Sequence, residues 1–269
     1  MTSKEYLLLL FIVACIGAGG YIYNDIIDEH TDQVNQKSPV VGTKIQKKIA
    51  WWSYLFIVLA PILPLISLMM ELERSDLLWY YLALTLTLYL YNRFLKKLPL
   101  LGNVVIAALC GLAVYTPYYI EEKALGLLQL EAPDIYGSVT LLVLGFVIFA
   151  GIANLIREII KDQQDTQGDL TTGHLTLPLA IGQRATSYLV IVLCILLGAG
   201  IYIWWNMMDL PDFAWPHIVF RWLLILPLIN FCIRSYKAAT SEDYARLSHA
   251  LKIYFGIGLF VLLFITYNM

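Results

Sequence analysis

The sequence predicts an all-α, polytopic membrane helical bundle, and three observations carry that prediction. Charged residues make up only 14% of the 269 positions and hydrophobic ones 59%, whereas a soluble domain is about 25% charged; the mean hydropathy is +0.70. Apolar stretches long enough to cross a bilayer as helices recur from end to end. Basic residues collect in alternate connecting segments, the asymmetry that orients membrane helices. The expected surroundings are membrane lipids, and no nucleic-acid partner is implied.

Eight spans are expected, near 5–23, 51–70, 77–92, 101–120, 135–156, 186–206, 217–234 and 251–268, with 77–92 the shortest. Pro61 and Pro64 lie inside the second, where a kink is expected. One set of loops holds Lys37, Lys44, Lys47 and Lys48, then Arg93, Lys96 and Lys97, then Arg157, Lys161 and Arg184, then Arg234, Lys237 and Arg246, which places these loops in the cytoplasm. The opposite set is acidic, with Glu71, Glu73, Asp76, Glu121, Glu122, Glu131, Asp134, Asp209 and Asp212. With eight spans both termini then fall outside. Cys15, Cys110, Cys194 and Cys232 are scattered singly through apolar runs and read as small buried hydrophobes.

The candidate site rests on a repeated acidic pattern. Asp25, Asp28 and Asp32 follow the first apolar run at the spacing D-x2-D-x3-D, and Asp162, Asp165 and Asp169 follow the fifth at the same spacing. On a helix that spacing spans an arc of about 60°. Each triplet leads into a long polar loop containing Gly and Pro, which suggests a single domain over 1–269 built from parallel pseudo-repeat halves, about 1–120 and 135–269. An aspartate at mid-bilayer costs about 2.5 to 3.5 kcal/mol, so six need a wet cavity and compensating charge, from basic side chains or from a divalent metal. Lys37, Arg157 and Lys161 are too few for seven carboxylates with Glu158 included. Mg²⁺ meets the requirement more naturally, because it takes carboxylate oxygens and keeps positions for substrate phosphate.

A polar mouth above an apolar interior fits an isoprenyl diphosphate, whose departing diphosphate leaves an allylic cation. Aromatic faces can stabilise such a cation, and Tyr21, Tyr23, Tyr91, Tyr115, Tyr118 and Tyr119 lie on candidate cavity helices. His30 and His174 read as ordinary loop histidines, Gly168 and Gly173 as turn or cap glycines, and Lys44, Lys47 and Lys48 as a headgroup anchor.

Several stretches resemble the UbiA-type intramembrane prenyltransferase superfamily. NDIIDEHTD with the following NQKSPVVG is similar to its first aspartate-rich motif, and REIIKDQQDTQGD with LTTGHLTLPLAIG to its second. YNRFLKKLPLLGN resembles the segment that supplies a tyrosine and a lysine, although Lys96 stands five positions after Tyr91 where the common pattern has four. Within the superfamily the chain looks most like members that prenylate geranylgeranylglyceryl phosphate. The resemblance implies that Asn24, Asp25, Asp28 and Asp32, with Asp162, Asp165 and Asp169, hold two Mg²⁺ ions and the diphosphate. It also implies that Lys96, Arg157 and Lys161 contact diphosphate or acceptor phosphate, with Tyr91 beside the substrate. The family fold is a nine-helix bundle around a cavity, and this chain begins at what resembles its second helix.

The expected function is therefore Mg²⁺-dependent transfer of an isoprenyl group from a prenyl diphosphate to a membrane-associated acceptor, best matched by a glycerol phosphate ether-lipid precursor. An aromatic quinone precursor as acceptor and an intramembrane terpene cyclase are alternatives within the same chemistry. A cation transporter is the alternative of a different class, disfavoured because both acidic clusters lie on one face. The expected location is a bacterial inner membrane, multi-pass, with the active site facing the cytoplasm. Acceptor identity, prenyl chain length and oligomeric state stay open.

Overall fold

The computed structural model describes residues 1–34, 43–208 and 215–268, and among these residues the chain is helical with no strand. The motif continuation at 35–42, with Lys37 in it, and Asp209 and Asp212 lie outside the described residues. Two compact units emerge: Met1–Gly102 with Gln167–Leu175, and Asn103–Thr166 with Thr176–Met269.

In the first unit, α1 (Ser3–Ile27) starts from a reciprocal cap in which Glu5 N–H donates to Thr2 Oγ1 at 3.3 Å and Thr2 N–H to Glu5 Oε2 at 2.5 Å. It is followed by the short α2 (Glu29–Val34), α3 (Lys44–Leu59), α4 (Ile62–Leu72) and α5 (Asp76–Arg93). The expected kink falls at Pro61, which has no N–H to continue the helix and instead starts α4. α1 packs against α3, α4 and α5. Gly20 makes room for α5, since a Cβ there would sit 2.3 Å from Leu88 Cδ2. Asn92 of α5 fixes the crossing by donating to the Gly20 carbonyl at 3.2 Å. After α5 comes a 3₁₀ turn, Leu95–Lys97, and then Leu100, a non-glycine residue at φ 63.

The second unit contains most of α6 (Leu101–Ile120), then α7 (Glu122–Glu131), the greater part of α8 (Pro133–Thr172), α9 (Leu177–Ile181), α10 (Gln183–Met207), α11 (Trp215–Lys237) and α12 (Ser241–Asn268). Its core joins Ala153, Ile156, Ile159 and Ile160 of α8 to Val190 and Cys194 of α10, Leu224 and Leu228 of α11, and Leu251 and Tyr254 of α12. Gly145 lies against Trp204, whose indole N–H donates to the Leu141 carbonyl at 2.8 Å. Tyr254 is fully buried and its hydroxyl donates to the Leu224 carbonyl at 2.8 Å, tying α12 to α11.

Seven helical stretches among the described residues are long and apolar enough to cross a membrane: Ser3–Ile27, Lys44–Leu72, Leu101–Ile120, Pro133–Thr172, Gln183–Met207, Ile218–Lys237 and Ser241–Thr266. Eight were expected. The difference is α5, which forms as a helix of 18 residues but carries four tyrosines, two threonines, Asn92 and terminal charges that lower its hydropathy. Cys15 and Cys194 are buried and all four cysteines are free thiols, as their spacing suggested.

Candidate active site

The two acidic motifs have identical spacing but different backbones. The first is broken: α1 ends at Ile27, Asp28 caps it with φ -84 and ψ 3, and α2 starts at Glu29. The helix that would carry Asp25, Asp28 and Asp32 on one face is therefore interrupted at its middle member, and the side chain of Asp32 lies outside the described residues. The second motif lies wholly on α8, so Asp162, Asp165 and Asp169 share one helical face.

In the first unit, Lys96 from the 3₁₀ turn reaches back to α1. Its ammonium donates to Asn24 Oδ1 at 3.2 Å and forms an ion pair with Asp28. Both charged side chains are largely enclosed, so the pair is stronger than an exposed one. Gly102 permits this placement: a Cβ there would lie 2.7 Å from both the Leu95 carbonyl oxygen and Lys96 Cα. The same turn holds the end of the second motif, because Leu175 N–H donates to the Lys97 carbonyl at 3.1 Å. Beside it, α8 closes at Gly173 with φ 73, the left-handed C-terminal cap expected of glycine. His174 N–H then returns to the Asp169 carbonyl at 2.9 Å, and His174 Nδ1 lies 3.7 Å from Asp169 Oδ1. His174 is a loop residue between α8 and α9, as expected, and is placed against the motif. Lys47 of α3 pairs with Glu29 at 2.7 Å and ties α2 to the bundle, a role the anchor reading did not foresee.

Beneath Asn24 an aromatic group closes the first unit. Tyr23 is buried and stacks on Tyr54 and Tyr89, each at 5.1 Å between centroids. A narrow pocket adjoins it, lined among others by Gly19, Tyr81, Thr85 and Asn92. Of the six tyrosines singled out from the sequence, Tyr23 belongs to this group, whereas Tyr21 is 73% exposed. Tyr115 and Tyr118 pack on each other at 5.5 Å, but Tyr118 is 15 residues from Asn103 on α6, about 22 Å along the helix.

In the second unit, Asn103 of α6 donates to Asp162 Oδ2 at 2.8 Å. Asn103 is buried and was not among the expected site residues; its only sequence signal was its place at the end of LLGN. Arg157 forms an ion pair with its neighbour Glu158. Gln163, turned about 100° from Asp162, donates to Ser187 Oγ at 3.0 Å and to the Gln183 carbonyl at 3.1 Å, fixing the rotation of the helix against α10. Asp25, Tyr91, Lys161 and Asp165 also make polar or ring interactions within the structure.

Among the described residues no three acidic, His or Cys side chains are gathered tightly enough to hold a metal by themselves. The donor set nevertheless fits Mg²⁺, which is commonly held by one or two carboxylates and completed by water and substrate phosphate. Oxygen donors are presented by Asp162 and Asp165 on one face of α8.

A model of the UbiA prenyltransferase family matches residues 2–265. The chain belongs to that family. Among curated relatives it is 33% identical over 186 residues to the digeranylgeranylglyceryl phosphate synthase of Thermococcus gammatolerans, covering 68% of this chain and 60% of that one. The enzyme of the same name from Pyrococcus abyssi is 34% identical over 184 residues, covering 68% and 59%. With that of Methanopyrus kandleri the match extends over 264 residues at 28% identity, covering 94% and 84%. The chain thus spans about six-tenths of the length of the first two relatives. A solved structure described as giving structural and mechanistic insights into digeranylgeranylglyceryl phosphate synthase in membranes superposes with a TM-score of 0.59 at 24% identity, covering 97% of this chain and 85% of that one. It bears on the fold alone, a multi-pass membrane helical bundle.

Proposed function

We propose that this protein transfers an isoprenyl group from a prenyl diphosphate to the hydroxyl of a glycerol phosphate ether-lipid precursor, with Mg²⁺ as cofactor. The observation that carries this reading is a pair of aspartate motifs at the ends of membrane helices, each met by a polar side chain from another helix or turn, in a chain of the UbiA family. The names borne by the relatives support the acceptor class. Basic loops next to both motifs support a site that opens to the cytoplasm.

In this reading, Asp25, Asp28, Asp32, Asp162, Asp165 and Asp169 supply the metal-facing carboxylates. When bound, Mg²⁺ neutralises the diphosphate and the charge that develops as it leaves. Lys96 orients Asn24 and Asp28 and offers its positive charge to the same oxygens, and Asn103 fixes the rotamer of Asp162. Lys161, next to Asp162, and Arg157, less than a turn and a half before it, add positive charge. Tyr23, which directly precedes Asn24, with Tyr54 and Tyr89 supplies an aromatic group that excludes water and stabilises an allylic cation.

The test is incubation of membranes containing the protein with labelled geranylgeranyl diphosphate and geranylgeranylglyceryl phosphate. Asp25→Ala or Asp162→Ala abolishes product, and EDTA does so reversibly. Full activity in both variants, or in the presence of EDTA, refutes the assignment.

A further inference from the structure

Two buried polar side chains continue the aspartate face of α8 into its apolar stretch. Asn154 and Glu158 are each 8% exposed. At about 100° per residue, Asn154, Glu158, Asp162 and Asp165 fall within an arc of about 80°. Ala153, Ile156, Ile159 and Ile160 take the opposite side, where they enter the core with no exposure at all. The polar stripe is therefore a built face, with its apolar counterpart already used for packing.

Glu158 has one ion-pair partner, Arg157. Asn154 Nδ2 is enclosed and has no hydrogen-bond partner among the described residues. A buried amide donor without a partner is uncommon in native proteins, and in a membrane span water is scarce as a substitute. About one turn earlier on α8, a Cβ at Gly151 would lie 3.6 Å from the carbonyl of Ala107 on α6. No side chain from α6 takes the Asn154 amide.

We propose that Asn154 and Glu158 form the subsite that seats the nucleophilic hydroxyl of the acceptor. The inference rests on the prenyl-transfer reading above and names the groups that select an alcohol. The Cβ atoms of residues four apart on a helix stand about 5 to 6 Å from each other, a spacing whose polar ends one oxygen can bridge at hydrogen-bond distance. A hydroxyl matches the pair chemically: its lone pair accepts from Asn154 Nδ2 while its O–H donates to the Glu158 carboxylate. In the transfer step the carbon–oxygen bond to diphosphate breaks, with its electron pair leaving on the diphosphate. The acceptor oxygen forms the new ether bond with the allylic carbon and its proton passes to Glu158. Arg157 holds the carboxylate in place and balances its charge before that transfer. An aromatic acceptor attacking through ring carbon has no use for this pair.

The test uses the full-length protein in bilayer nanodiscs, with labelled geranylgeranyl diphosphate and either geranylgeranylglyceryl phosphate or an aromatic carboxylic acid bearing a phenol. Asn154→Leu, close in size and apolar, raises the KM for the glycerol phosphate lipid about 10-fold, leaves the KM for the diphosphate unchanged and does not lower the melting temperature. Glu158→Gln lowers kcat about 100-fold, and Glu158→Asp recovers part of it. Wild-type acceptor KM in Asn154→Leu, or equal losses for both substrates together with a lowered melting temperature, overturns the subsite while the activity stands. If the wild-type protein transfers label only to the aromatic acid, the subsite is overturned; if it transfers label to neither acceptor, both inferences fall.

Discussion

Substituting Gly102 with alanine should damage the candidate site without touching any group that meets substrate. The added Cβ would lie 2.7 Å from the Leu95 carbonyl oxygen and 2.7 Å from Lys96 Cα, both of them backbone atoms that cannot rotate away. Ordinary contact begins near 3.4 Å, so the turn must retreat by about 0.7 Å. Lys96 rides on that turn, and its bond to Asn24 Oδ1 is already 3.2 Å long. A displacement of this size carries it past hydrogen-bonding range. We expect a stability loss of about 1 to 3 kcal/mol from overpacking, and a fall in kcat/KM of about 10- to 100-fold from misplacement of the lysine. Prenyl-transfer rates with labelled diphosphate, together with thermal melting in detergent, measure the two effects separately. Gly126→Ala on α7 is the control, because nothing lies within 4 Å of the Cβ it adds. Gly102→Ala with unchanged rate and unchanged melting would refute the proposed role of the turn in holding Lys96.

Two further perturbations separate binding from scaffold. Lys96→Met keeps the length of the side chain and removes its charge, leaving Asp28 without its partner; the KM for prenyl diphosphate should rise about 10-fold or more, and a wild-type KM would remove Lys96 from the site. Tyr254→Phe deletes only the hydroxyl that donates to the Leu224 carbonyl. It should cost about 1 kcal/mol in a denaturant titration and leave turnover unaltered.

The helical architecture was legible because a membrane chain writes its spans as apolar runs, and α1, α8, α10 and α12 formed where those runs lay. α5 formed as a helix too, but its tyrosines and threonines leave it without an apolar stretch like those of the seven spans. Spacing alone was a poorer guide to the acidic motifs. D-x2-D-x3-D fits one helical face, and α8 obeys it, yet α1 stops before Asp28, a tertiary choice in which Lys96, 68 residues away in sequence, takes the carboxylate. The partnership of Asn103 with Asp162 spans 59 residues and two helices. No local pattern encodes such a pair, since an asparagine near the start of an apolar helix looks the same whether it caps, packs or orients a carboxylate.

The contrast between the two motifs bears on how the gene can change. α8 is one uninterrupted helix of 40 residues in which core face, polar stripe and carboxylates share a single register. Inserting one residue near Ala153 would rotate everything beyond it by about 100°, swinging Asp162 and Asp165 toward the isoleucine side and Ile160 toward the polar one. Point substitutions are therefore the main route open to variation along α8, whereas the turn at Asp28 uncouples α2 from α1 and can absorb a change of length. Duplicated motifs of equal spacing would thus accept different kinds of mutation, with length changes collecting after the first and residue exchanges along the second.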